Sequence, residues 1–233
     1  MKCGLLGRKL GHSYSPQIHS QLGSYDYRLF EKEPEELEEF LRNGDFTGIN
    51  VTYPYKKSVI PYLNDISPIA ARLGAVNTIV RHPDGRLIGH NTDYFGFTSM
   101  VHRSGIQVAG KKVLVLGSGG TSNTAVKALE DLGAQVIIVS RSGENNYDNL
   151  HVHQDAAVIV NTTPVGMYPN TEEYPQLPYE AMDNRTLLYD LIYNPDKTMF
   201  MKLGEKQGAV VKNGLEMLLL QAYASWEFWH EDE

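Results

Sequence analysis

The stretch KVLVLGSGG, Lys112–Gly120, decides the fold. Val113 to Leu116 are apolar without alternation, the pattern of a strand covered on both faces. Gly117, Gly119 and Gly120 follow at once, and TSNTAVKALEDLG, residues 121–133, then reads as a helix. AQVIIVSRS, residues 134–142, is a second apolar strand. Strand, glycine turn, helix and strand make a parallel βαβ unit. In that setting a glycine turn lets backbone amides and the helix N-terminus face a pyrophosphate. The third glycine of G-x-G-x-x-G is Ser122 here, so the fingerprint is incomplete. A tight strand-to-helix turn without a ligand is written the same way.

The end of the second strand adds chemistry. A site for NAD places Asp or Glu there to take the ribose hydroxyls. This chain has Ser140, Arg141 and Ser142. A guanidinium matches a 2′-phosphate instead, so the pattern favours NADP over NAD. Further strands read at AAVIVN, residues 156–161, and TLLYDLI, residues 186–192. The segment between, GENNYDNLHVHQD, is too short for a full helix, strand and helix. One helix is therefore expected to be lost or shrunken, with a more open adenosine side. His151 and His153 alternate as on a strand with no third ligand nearby, so no metal is expected.

Upstream, strand and helix signals alternate again. KCGLLG, YDYRLFE and FTGINVT read as strands. SPQIHSQLG reads as a helix with Ser15 as N-cap, Pro16 at its first position and Gly23 after it. EPEELEEFLRNG is a second helix, and a third helical stretch runs around residues 58–73. AVNTIVR, the turn PDG and RLIGHNT form a hairpin with Asp84 and Gly85 in the turn. The polar stretch SGIQVAGKK, residues 104–112, marks a domain boundary. NGLEMLLLQAYASWEFW is a long C-terminal amphipathic helix in which Trp226 and Trp229 read as packing residues. The expected domains are 1–104, 105–212 and a returning helix 213–233.

Bulk properties narrow the partners. The chain has 233 residues, 42% of them hydrophobic, and a formal charge of -7. That charge disfavours nucleic acid and anionic membrane surfaces, and no apolar run reaches the ~20 residues of a membrane span. The first residues are too short and polar for a signal peptide. Cys3 is the only cysteine, so no internal disulfide forms, which fits a cytoplasmic protein. The expected state is a monomer or homodimer.

Three separate segments end in the same chemistry. Asn50, Thr52 and Lys56 close one strand in NVTYPYKK, residues 50–57. Asn77 and Thr78 stand in GAVNT, and Asn91, Thr92 and Asp93 in GHNTD. Taken singly, Lys56 reads as a surface lysine and Asp93 as a helix N-cap. Taken together, amides, hydroxyls and charges at several strand ends suggest a pocket for a polyhydroxylated small molecule. Ser13 and Ser15, at a helix N-terminus, suit a carboxylate. His12 and His19 flank them without an assigned role.

SYSP, NVTYPYK, GAVNT, GHNTD, GSGG, NTTPVGM, DLIY and NGLEMLLLQA occur here in the order seen in the shikimate dehydrogenase family, which the chain resembles over nearly its whole length. The resemblance implies an α/β protein. An N-terminal α/β substrate domain would join a Rossmann-like NADP-binding domain, with the C-terminal helix packing back on the first. It implies NADP-dependent, reversible reduction of 3-dehydroshikimate to shikimate. By the same resemblance Ser13 and Ser15 would hold the substrate carboxylate. Asn50, Thr52, Asn77, Asp93 and Gln221 would hold its ring hydroxyls and the reacting oxygen. Lys56 would be the acid/base, paired with Asp93, and Tyr193 would close over the substrate. Gly117, Ser118, Gly119, Gly120 and Thr121 would carry the pyrophosphate, and Ser140, Arg141 and Ser142 the adenosine phosphate. Met167, Leu191 and Gly214 would line the nicotinamide side. The chain departs from the family at Thr121, Ser122, Asn123 and Thr124, where small residues are usual, and at Ser140, where asparagine is. A quinate or aminoshikimate dehydrogenase using NAD, or a non-catalytic sensor on the same scaffold, are the rival readings.

Overall fold

The computed structural model describes residues 1–11 and 13–230. It divides into two compact units, Met1–Gly96 with Leu219–Glu233, and Phe97–Leu218.

The first unit carries a mixed six-stranded sheet. Its strands are β1 (Lys2–Gly7), β2 (Asp26–Glu31), β3 (Gly48–Val51), β4 (Asp65–Ile66), β5 (Thr78–Arg81) and β6 (Leu87–His90), in the order β2-β1-β3-β5-β6-β4. Helices α1 (Ser15–Leu22) and α2 (Leu37–Asn43) are the crossovers that return the chain parallel, so β1 pairs parallel with both β2 and β3. β5 and β6 form the expected hairpin, Arg81 opposite Leu87, with Gly85 at φ +87° in the turn. Leu6, Leu41, Ile49, Val51, Val76 and Ile79 make the core under the sheet. The last helix, α7 (Leu215–His230), belongs to this unit from Leu219 onward. Trp229 is buried there, lies where a side chain on Gly48 would be, and donates its indole N–H to Ile79 O at 3.3 Å.

The second unit is a five-stranded parallel sheet, β7 (Lys112–Leu116), β8 (Gln135–Val139), β9 (Val158–Asn161), β10 (Leu187–Asp190) and β11 (Val210–Lys212), in the order β11-β10-β9-β7-β8. α5 (Gly120–Asp131) crosses from β7 to β8 and α6 (Met199–Lys206) from β10 to β11. Leu114, Leu116, Ile159, Leu188 and Phe200 anchor its core. Between β8 and β9 the only regular element is a 3-10 turn, Leu150–His153. β8 therefore stands at the sheet edge. His151 and His153 lie in that turn rather than on a strand.

Other local expectations shift for identifiable reasons. The stretch 58–73 is not one helix. Pro61 falls in a 3-10 turn, Ile60–Tyr62, and α3 (Pro68–Leu73) starts only after Ser67, whose side chain caps it. Each proline disfavours helix in the residue before it. Ser15 is the first residue of α1 rather than its cap; Ser13 Oγ accepts the Ser15 N–H at 3.2 Å. The two units divide within α4 (Thr92–Arg103) and α7, rather than in the turns near 104 and 212. Helices of 12 and 16 residues are long enough to contribute to two units.

Candidate active site

Lys56 lies in the turn that follows β3, and its Nζ is 2.6 Å from Asp93 Oδ2 in the first turn of α4. The side chains are 30% and 18% exposed. A charge-assisted bond of that length between partly buried groups is stronger than a pair in open solvent. Lys57 is exposed. Asp93 is available to Lys56 because another residue does its expected work. Asn91 Oδ1 accepts the Tyr94 N–H at 3.1 Å and so caps α4, while Asn91 Nδ2 donates to Ala75 O at 3.0 Å.

Behind this pair lies a buried network of amides and hydroxyls. Asn50, Asn77, Thr78, Thr92 and Ser225 are all buried. Asn50 Nδ2 donates to Ser225 Oγ at 2.8 Å and Thr78 Oγ1 at 3.1 Å, and Tyr27 Oη donates to Asn50 Oδ1 at 2.9 Å. The Thr92 N–H donates to Asn77 Oδ1 at 2.7 Å. Gln221, one turn before Ser225 on α7, accepts from Thr92 Oγ1 through Oε1 at 3.4 Å. Thus Asn50, Asn77, Asp93, Lys56 and Gln221, spread over three strand ends and two helices, belong to one neighbourhood. Thr52 directly follows β3 and is partly exposed, its N–H bound to Leu6 O at 2.9 Å. Ser13 and Ser15 sit at the start of α1, both partly exposed.

His12 lies outside the described residues. His19 is 1% exposed and stacks on Tyr27, with ring centroids 4.1 Å apart at 10°, and its Nδ1 is 2.5 Å from the Tyr25 hydroxyl. Burial pushes its pKa down to about 4. It is a neutral packing residue.

In the second unit a groove of about 630 Å³ runs along the C-terminal ends of β7, β8 and β9. Gly117, Ser118, Gly119, Ser140, Arg141 and Ser142 line it, as do Tyr147, Thr162, Thr163 and Tyr174. Gly117 has φ +114°, and a Cβ there would fall 2.7 Å from Thr162 Oγ1, so glycine is required. Gly119 and Gly120 would meet nothing within 4 Å, which leaves open space before the N-terminus of α5. Ser122, at the third glycine position, is buried and donates to Gly117 O at 2.7 Å, tying the turn to its helix. Open backbone at a helix N-terminus, hydroxyls and an exposed arginine fit the phosphates of a dinucleotide. Gly120 and Thr121 open α5 at the mouth of this turn. Met167, Leu191 and Gly214 do not line the groove, but Gly214 and Leu191 are in contact: a side chain on Gly214 would overlap the Leu191 carbonyl.

Two features lie outside the sequence reading. Tyr147 and Tyr174 form part of the groove wall, and nothing in their local pattern marks them. Asp190, at the end of β10, is fully buried. Its Oδ1 accepts from Asn161 Nδ2 and the Ile192 N–H, both at 3.1 Å, and its Oδ2 from Thr198 Oγ1 at 2.5 Å. Burial raises its pKa to about 6 against those three bonds. It ties both ends of the 191–198 segment that carries Leu191 and Tyr193. The motif DLIY contains it, but the motif does not tell a tie from a ligand. Among the described residues no cluster of His, Cys, Asp and Glu is arranged to hold a metal, and no helix is long and apolar enough to cross a membrane.

Comparison with known proteins matches residues 5–79 to the shikimate dehydrogenase substrate binding domain. The chain is 36% identical to a shikimate dehydrogenase (NADP(+)) of Carboxydothermus hydrogenoformans, over 97% of this chain and 90% of that one. It is 37% identical to one of Clostridium beijerinckii, over 98% and 91%. The fold matches the Thermus thermophilus shikimate 5-dehydrogenase solved with NADP(H) and shikimate. The TM-score is 0.86 and the identity 31%, covering 99% of this chain and 93% of that one.

Proposed function

We propose that this chain, which belongs to the shikimate dehydrogenase family, interconverts 3-dehydroshikimate and shikimate with NADP(H), as a step of aromatic amino acid biosynthesis. The observation that carries the reading is the 2.6 Å contact between Lys56 and Asp93 inside a neighbourhood of buried amides and hydroxyls. The two shikimate dehydrogenases (NADP(+)) named above, matched over at least 97% of this chain and 90% of their own, support it.

Reducing a ketone to an alcohol places negative charge on the carbonyl oxygen, which must then take a proton. The Lys56 ammonium stabilises that charge and delivers the proton; in the reverse direction the neutral amine removes it. Asp93 orients the ammonium and accepts from a substrate hydroxyl. Ser13 and Ser15 take the substrate carboxylate at the start of α1. Asn50, Thr52, Asn77 and Gln221 hold ring oxygens. In the second unit, residues 117–121 hold the pyrophosphate and Ser140, Arg141 and Ser142 the 2′-phosphate. Met167, Leu191 and Gly214 flank the nicotinamide, which supplies the hydride when bound. A sensor on this scaffold needs no proton donor, so the Lys56–Asp93 pair favours an enzyme. Buried, unpaired Cys3 is consistent with the cytoplasm.

The test is an absorbance assay with NADPH and NADH against shikimate, quinate and their dehydro forms. Turnover is expected with the shikimate pair and NADP(H). Turnover confined to quinate and NAD would assign the rival dehydrogenase, and no change with any pair would leave only the sensor.

A further inference from the structure

The network behind Lys56 and Asp93 can be given donors and acceptors by starting from backbone groups, whose roles are unambiguous. The Thr92 N–H can only donate, and its partner at 2.7 Å is Asn77 Oδ1. The Thr78 and Thr92 hydroxyls also lie 3.2 Å from that oxygen. Asn77 is thereby oriented, with Nδ2 donating one N–H to Thr92 Oγ1 at 3.0 Å and a second N–H left over among the described residues. At the other side, the Gln221 carbonyl can only accept, and takes the Ser225 hydroxyl at 3.0 Å. A serine donates once and accepts at most twice, so Ser225 Oγ can receive from two of its other neighbours, Asn50 at 2.8 Å, Thr78 Oγ1 at 2.8 Å and Thr92 Oγ1 at 3.1 Å. The Asn50 atom 2.8 Å away is therefore the nitrogen. Its second N–H goes to Thr78 Oγ1 at 3.1 Å. Asn50 Oδ1 then faces Tyr27, whose hydroxyl donates to it at 2.9 Å. Among the described residues Asn50 keeps no unused N–H, and Tyr27 is the one donor to its Oδ1, because the neighbouring His19 Nε2 is within hydrogen-bond reach of no partner; one lone pair of Oδ1 stays open.

We infer that Tyr27 and Ser225 are positioning residues that lock the Asn50 amide as an acceptor, while the Thr92 backbone locks Asn77 as a donor, so that the two amides read different oxygens of the substrate. The inference rests on the activity proposed above. A ketone oxygen cannot donate a hydrogen bond and a hydroxyl can. The reacting oxygen alternates between the two, so only a donor serves it in both states. Asn77 is that donor, and it adjoins the acid/base pair: the preceding Val76 N–H binds Lys56 O at 2.7 Å, and Thr92 precedes Asp93. Asn50 accepts from a ring hydroxyl that stays a hydroxyl throughout. Tyr27 is itself held by its stack on buried His19.

The test measures kcat and KM for shikimate, and for analogues with one non-reacting ring hydroxyl replaced by hydrogen. It compares wild type, Tyr27→Phe, Ser225→Ala and each of these combined with Asn50→Ala. Each single variant is expected to raise the shikimate KM about tenfold, the size of one lost hydrogen bond. The NADP KM should not move, and the preference for shikimate over one deoxy analogue should narrow. Combined with Asn50→Ala, neither should add further loss. Should Ser225→Ala fail to fold, Tyr27→Phe reads the lock alone. Losses that multiply in the Asn50→Ala background, or discrimination unchanged in the single variants, overturn the inference while wild-type turnover leaves the activity standing. A wild-type protein that neither oxidises nor binds shikimate overturns both.

Discussion

In the first unit, Asn50, Asn77, Thr78, Thr92 and Ser225 are buried and spend most of their hydrogen bonds on one another. In the second, Ser118, Gly119, Arg141 and Ser142 border a groove and stand in solvent. The contrast follows from what each unit is proposed to bind. A small ring with several similar oxygens is distinguished only by groups whose direction is set beforehand, and burial with all but one hydrogen-bonding position of each amide occupied sets it. Phosphates carry their own charge and accept from many directions, so backbone amides and an exposed guanidinium suffice.

Removing the Lys56 ammonium strikes the first unit hardest. Lys56→Ala is expected to lower kcat by roughly 10²–10⁴-fold, the usual yield of positioned acid–base catalysis. Its thermal midpoint should stay close to wild type, because Lys56 is 30% exposed. Near-normal turnover would place the proton donor elsewhere.

Acid sharpens the comparison, because the two units respond with opposite sign. His19 in the first unit is held down to about 4 by burial, from an ordinary 6.5. Between those values the unfolded chain carries a proton that the folded one lacks. The stability His19 contributes is present above about 6.5 and is lost as pH falls through 4. Asp190 in the second unit is raised by burial from 3.8 to about 6. Its contribution is full below 3.8 and is lost as pH rises through 6. Each is worth at most roughly 3 kcal/mol. Hydrogen exchange, corrected for intrinsic rates, should show strands of the first unit losing protection between pH 6.5 and 4.5. Strands of the second unit should hold or gain it. Asp190→Asn should flatten the response of the second unit only, and parallel responses would break the comparison.

The smallest effect concerns the groove. Arg141→Ala removes charge-assisted bonds of roughly 1.5–3 kcal/mol. It should weaken NADPH about ten- to a hundred-fold in a binding titration and leave NADH nearly unchanged. Equal losses for both would remove the 2′-phosphate from Arg141.

Much of this was legible in the chain. The apolar run before Gly117 and the hairpin around Asp84 and Gly85 are local signals, and the structure has both elements. Lys56 and Asp93 stood out because their segments share one chemistry. Where prolines and caps compete over one turn, neighbouring residues do not decide the outcome: residues 58–73 are split by Pro61 and Pro68, and Asn91 rather than Asp93 caps α4. Tyr27, Tyr147, Asp190 and Ser225 carry no local mark at all.

The sequence by itself determined which chemical groups end each strand, because strand period, glycine turns and helix starts depend on neighbours a few positions apart. Only the tertiary structure decided which way the Asn50 and Asn77 amides are turned. That depends on Tyr27, Thr92, Gln221 and Ser225, groups up to 175 positions from Asn50, and an amide has no preferred sense until its partners are in place.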